Sequence, residues 1–235
     1  VQLPLNLTVR LSYSRLDSRS LDIRSRRDLR RETWPDLSAR FTDLPLPGVV
    51  ERVLSRVTLG SGFQRTEQRL VFGSGGTQLR VEESTRIPVE AALTWVGGLT
   101  SRYRATFETG TGRDPTGDTD RDRIFHTVTL SARFLPPGDW TENLERPIQV
   151  TVGWQDVDEL NCRVAVGRSD CVPFVDQRNR SVNLTVDTQV QRLEVGVQSS
   201  WVDRRSFVGR RLGSSQFQLG IFGQFEFTAG DLGQL

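Results

Sequence analysis

The stretch from Pro35 to Thr66, PDLSARFTDLPLPGVVERVLSRVTLGSGFQRT, decides how the rest of the chain reads. Leu37, Ala39 and Phe41 alternate with Ser38, Arg40 and Thr42, a period of two that marks a strand with one apolar side. Val57, Leu59 and Phe63 alternate with Thr58, Gly60 and Gln64 in the same way. Pro45 and Pro47 stop the first run, since proline cannot donate to a ladder. Val49, Val50, Val53 and Leu54 then fall at helical spacing, with Glu51, Arg52 and Arg56 opposite, which predicts one or two turns of amphipathic helix. The unit is therefore strand, short helical connector, strand.

The same alternation runs outward in both directions. Upstream, Val1, Leu3, Leu5, Leu7, Val9, Leu11 and Tyr13 share one parity, which predicts a single strand over 1–14. Downstream, Ile87 to Trp95 and Leu99 to Phe107 flank Gly97-Gly98, a tight hairpin signal. Ile124 to Phe134, Ile148 to Trp154, Val182 to Val190, Leu193 to Trp201 and Phe217 to Phe227 repeat the pattern. The reading is an all-β, antiparallel transmembrane β-barrel wall of about ten strands, each near the roughly 9–11 residues that a tilted membrane strand needs. One such segment spans 1–235.

Connections alternate as well. Those over 16–34, 67–85, 110–123, 156–180 and 202–214 are long and polar and read as external loops; the others are shorter, as periplasmic turns are. Leu70-Val71-Phe72 is an apolar patch that extends the strand before it. Aromatics gather at strand ends, with Trp154 and Trp201 at an outer rim and Trp95 and Phe134 at an inner one, the girdle arrangement. The opposite parity assigns Arg10, Arg40, Arg102, Arg104, Arg133, Glu90, Glu108 and Glu226 to the lumen. Arg65 falls on the apolar parity and belongs at or beyond the outer rim. A soluble β-rich binding domain is the rival architecture.

Composition narrows function. All 31 basic residues are Arg, yet the net charge is only +2, because Arg alternates with Asp and Glu. Asp120-Arg121-Asp122-Arg123 is typical, and mixed signs of this kind do not make a phosphate-binding stripe, so no nucleic-acid partner is expected. There is no Met in the chain. Val1 is then not a translational start, and the chain reads as a piece of something longer.

Few residues point to chemistry. Cys162 and Cys171 share one polar stretch; in an oxidising compartment the pair reads as a disulfide, worth roughly 2–3 kcal/mol for so short a loop. A metal pair is the alternative, though no further His or Cys lies nearby. Asp114, Asp118, Asp120 and Asp122 lie around Gly117 and could wrap a calcium ion, but the distal Glu of an EF-hand is missing and Arg113, Arg121 and Arg123 compete as partners, so the pattern favours a solvated acidic loop. His126 is the sole histidine and sits on the apolar parity, poor placement for a general base. No nucleophile elbow, P-loop or dinucleotide fingerprint appears, so no enzyme activity or cofactor is expected.

The opening stretch also resembles a recurring segment near the C-terminus of the SprA family, outer-membrane proteins of type IX secretion and gliding motility. Pro35, Asp36, Leu37, Phe41, Leu44, Pro45, Val53, Leu54, Leu59, Gly62 and Phe63 fit that pattern. Leu37 stands where the family usually has a Trp-like residue, and Arg replaces Lys in the helical turn. The strand start Arg146-Pro147-Ile148 and the run SSQFQLGIFGQFEFT extend the likeness. The resemblance implies a segment of a very large outer-membrane barrel acting as a passive, polar-lined conduit for folded cargo. It implies outer-membrane lipid, secreted protein cargo, a plug, a shuttle protein and periplasmic motor components as partners. A self-contained small barrel, whether porin, adhesin or surface protease, is the alternative within the membrane.

Overall fold

A computed structural model of the 235-residue chain describes residues 2–3, 6–22, 25–73, 78–135, 144, 146–190, 193–209 and 211–225. Its strands form one antiparallel meander in which each pairs with its sequence neighbours. They are β1 (Gln2–Leu3), β2 (Leu7–Asp22), β3 (Ser25–Phe41), β4 (Leu54–Gly73), β5 (Gln78–Trp95) and β6 (Thr100–Asp114). Then follow β7 (Gly117–Phe134), β8 (Ile148–Ala165), β9 (Cys171–Val190), β10 (Leu193–Ser206) and β11 (Leu212–Phe225). No pairing joins β11 to β1 or β2 among the described residues, so the sheet is a wall and not a closed ring.

The register explains why the alternation matters. One ladder row runs Leu7, Phe41, Leu59, Ala91, Tyr103, Val128, Trp154, Val182, Trp201, Phe217 through every long strand. All of these are apolar or aromatic and share a face, because directly opposed residues of an antiparallel pair do. A one-residue slip at any pairing would turn a whole strand's apolar set to the other side. Toward one edge the apolar set continues above this row, through Val9–Ala39, Leu11–Leu37 and Ile87–Phe107–Ile124. Toward the other edge it continues below, through Val150–Val186–Val197–Ile221 and Val190–Leu193–Phe225.

The slant is that of a barrel. The base of the β2–β3 hairpin lies in the row, whereas that of β9–β10 lies about 26 Å below it at ~3.3 Å per residue. About seven strand spacings of ~4.8 Å separate the two bases, so they share a plane when the strands lean by roughly 38°, inside the 35–45° of barrels.

Among the described residues only Val57, Ala105, Val157 and Cys162 are buried apolar side chains, too few to compete with this face. The chain exposes 16901 Å² of surface, against about 10,700 Å² for a globular protein of this size. Ile221 is 84% exposed and Leu219 66%. A single sheet layer with one apolar side is stable only if something apolar covers that side, and here the band of rows is shaped to take lipid. A soluble β-domain would bury the face against a second layer, and among the described residues no second layer packs on it.

Three expectations are corrected. The stretches 16–34, 67–85, 110–123, 156–180 and 202–214 are not loops: strands of 14–20 residues occupy most of them. Cross-strand ion pairs carry the ladder out into water, as in Arg19–Asp28 at 3.1 Å and Arg65–Glu83 at 2.8 Å. The Arg65 pair lies beyond the outer end of the apolar rows, as its parity required. The strand expected over 1–14 is broken at Asn6, whose positive φ of 51° reverses the chain so that Leu3 pairs with Leu7. Finally, the helix α1 (Gly48–Glu51) is one turn with no buried residue, and Leu54 already belongs to β4. Its apolar side covers nothing, and Val49 is 79% exposed.

Other expectations are met. Leu70-Val71-Phe72 prolongs β4, and Gly97 and Gly98 form the β5–β6 turn with φ of 98° and 87°. Replacing Val150 or Leu184 by Arg should block membrane insertion, each at about 2–4 kcal/mol, because both face the band's middle. Arg at Thr151 or Thr185, on the other face, should be tolerated. Heat-modifiable migration after assembly in lipid reads the difference; equal tolerance at both parities would contradict the assignment.

Candidate functional site

The polar face is the candidate site, since it is the face left free to meet water. Strand alternation places Arg40, Gly60, Glu90, Arg104, Thr127 and Gln155 side by side on it. Glu90 is the hub: Arg40 and Arg104 each approach its carboxylate to 3.3 Å and Arg102 to 3.8 Å. The three arginine side chains are 54–57% exposed and Glu90 24%, so each pair contributes no more than about 1 kcal/mol and the group is a wetted charge cluster. Nearer the outer end, Arg121 lies between Glu108 at 3.9 Å and Glu159 at 3.5 Å. Near the inner end, Arg133 Nε donates to Gln149 Oε1 at 3.2 Å. Arg10 stands opposite Ser38 and belongs to the same face. Glu226 lies outside the described residues.

The residues were therefore legible but their grouping was not. Arg121, Arg123 and Glu159 also line this face, hidden in stretches that read as polar loops, and so does Arg86, just ahead of the apolar run that begins at Ile87. The signal was present in Asp120-Arg121-Asp122-Arg123, which has the same period of two as the apolar runs.

The four aromatics expected at the rims lie on the apolar side. Trp154 and Trp201 share the row described above, two strands apart. The row immediately beyond them is polar: His126, Asp156, Arg180 and Asp203 are ladder neighbours. Arg178 grips Asp156 with two bonds, at 3.1 and 2.6 Å. Apolar surface therefore ends at one sharp line on β8, β9 and β10. Trp95 and Phe134 stand at the inner ends of β5 and β7, with Trp95 Nε1 donating to Ser101 Oγ at 2.9 Å. His126 meets Tyr103 Oη at 3.0 Å through Nδ1, and Asp156 across the ladder is committed to arginine, so no His–carboxylate pair forms here.

Cys162 and Cys171 are joined, with Cα atoms 5.4 Å apart. They sit on the paired strands β8 and β9, not in a loop, and tie the two together just below the hairpin tip. Asp120 lies beside them, but sulfurs bonded to each other offer no thiolate to a metal. The acidic residues do not form a calcium cage. Asp118 and Asp122 project from one strand about 13 Å apart, too far to share an ion. Asp118 pairs with Arg113 at 3.1 Å. At the β6–β7 turn, the Thr116 hydroxyl and amide, and after them Arg163, hold the Asp114 carboxyl below its ordinary range.

No family model matches the chain, and no curated protein matches it. Its structure is similar to that of the alcaligin outer membrane receptor FauA from Bordetella pertussis, with a TM-score of 0.56 and 17% sequence identity. The match covers 95% of this chain and 40% of that one. At this identity the likeness is one of fold, and the fold it shares is an outer-membrane barrel wall.

Peptide mapping without reductant should recover 162 and 171 in one linked species, and Cys162→Ser should lower stability by about 2–3 kcal/mol. Free thiols that label on the assembled protein would contradict the bond.

Proposed function

We propose that this chain is a length of the wall of a large outer-membrane β-barrel and that the barrel is a passive conduit for secreted protein, as the SprA-like residues imply. The observation that carries the reading is the polar face. It is charged, wetted and uncovered: among the described residues nothing packs on the Glu90 cluster, and the sheet stays open. A conduit needs such a wall and no reactive group in it. Mixed charge lets a folded surface of either sign pass without a deep electrostatic trap, since each exposed pair contributes little. The plug, the shuttle and the motor components belong to this reading. They would meet the chain at the lumen face and at the inner turns.

A second reading has its own support. The likeness to an outer-membrane receptor favours a barrel that receives a ligand. The long polar ladders beyond the girdle would then present the ligand-facing surface. A self-contained small barrel is less well supported, because β11 and β2 do not pair among the described residues.

Deleting the gene that encodes this chain separates these readings. On the conduit reading, many secretory proteins accumulate folded in the periplasm and are depleted from the cell surface and medium. An unchanged set of secreted proteins, with loss of uptake of a single small compound, would overturn it in favour of the receptor.

A further inference from the structure

At and above the outer edge of the apolar band, the polar face holds a cavity of about 470 Å³. That volume suits a small organic ligand. Its floor is bare backbone at Gly110 and Gly112 of β6, and Arg31, Gln64, Gln68 and Arg86 stand around it. The floor is tight: a Cβ at Gly112 would collide with the Thr119 hydroxyl, and one at Gly110 would lie 3.3 Å from the Glu83 carbonyl oxygen.

Glu83 and Asp120 also border the cavity but stand opposite Thr111 on the other parity, Glu83 paired with Arg65 at 2.8 Å, so on the polar face itself the charges do not cancel. Glu82 is held by Arg80 at 2.6 Å, and Glu108 lies 3.9 Å from Arg121. Arg31 donates only to the neutral Gln68 Oε1, at 3.1 and 2.7 Å. Arg86 stands between Gln64 and Glu108 in the ladder and forms no ion pair or hydrogen bond with any described residue. Two guanidinium groups thus face the cavity without a carboxylate of their own. The remaining lining is amide and hydroxyl. Gln64 and Ser84 make no side-chain hydrogen bond among the described residues, and the buried Asn161 Oδ1 in the wall lacks a donor.

We infer that this cavity binds a small hydroxylated oxyanion, a sugar acid or sugar phosphate in chemical class. Its carboxylate or phosphate meets Arg86, because the guanidinium fork matches either group. Its hydroxyl groups lie along Gln64, Ser84 and Gln68, and Arg31 adds positive charge at the upper rim. The inference does not depend on what crosses the lumen; it needs only the polar face of β3 to β8.

The test is calorimetric titration of the whole chain in detergent with D-glucuronate, glucose 6-phosphate and glucose. At least one anion should bind, and glucose should bind at least about tenfold more weakly, given the strength of charge-assisted bonds. Which anion binds identifies the oxyanion. Arg86→Gln should weaken that anion by about tenfold, and Gly110→Ala, which fills the floor and keeps every charge, should weaken it too. Arg65→Gln, an equal charge change on the opposite face, should leave it unchanged. Equal binding of glucose, an unchanged affinity in Arg86→Gln, or no binding of either anion would overturn the site.

Discussion

A sheet one layer thick has no interior, and everything else in this protein follows from that. Its backbone is satisfied strand to strand, so the ladder holds the shape, but the ladder alone does not say where the sheet belongs. That is settled by the face that carries Leu59, Tyr103, Val128, Trp154 and Trp201 in one unbroken row. Burying such a row in lipid is worth about 25 cal/mol for each Å² of apolar surface removed from water. No other apolar surface in the chain competes for it. The register is pinned by the same fact, since a slip at a single pairing would put Arg and Glu into hydrocarbon on every strand beyond it.

How much of this could be read from the residues depends on what carries the period of two. Where Val, Leu and Phe carry it, the strands and the alternation of their faces were legible, down to the parity of Arg65. Where Arg, Asp, Glu and Ser carry it, the same period passed for loop. Composition there argues for solvation and hides the alternation. β2 and β3 show why: Arg15, Asp17 and Arg19 stand opposite Glu32, Arg30 and Asp28, so paired charge replaces paired apolar side chains as the ladder leaves the membrane. The cysteines follow from the same point, because once β8 and β9 extend upward they bring Cys162 and Cys171 together across the ladder. The Glu90 cluster could not be read at all. Arg40 is distant in sequence, and only the register of three hairpins brings it to Arg104.

The open edges are the structure's outstanding demand. β11 exposes Phe217, Leu219 and Ile221 on its apolar face, and the backbone groups along its outer edge have no partner strand among the described residues. β2 has the same need, since β1 covers only its first residues. Each unpaired group costs several kcal/mol in lipid, so both edges must find strands there. Among the described residues the sheet therefore keeps two open edges, and its polar face is the one turned away from lipid.

The central claim is that one parity meets lipid and the other meets water, and tryptophan fluorescence tests it directly. Take the chain assembled in bilayers whose acyl chains carry bromine, with Trp154 kept and Trp34, Trp95, Trp140 and Trp201 replaced by Phe. Its emission should be quenched strongly by the lipid and weakly by iodide. In a second chain, with Trp154 also replaced by Phe and a tryptophan introduced by Thr151→Trp, iodide should quench and bromine should not. Equal quenching of the two positions by bromolipid would contradict the account.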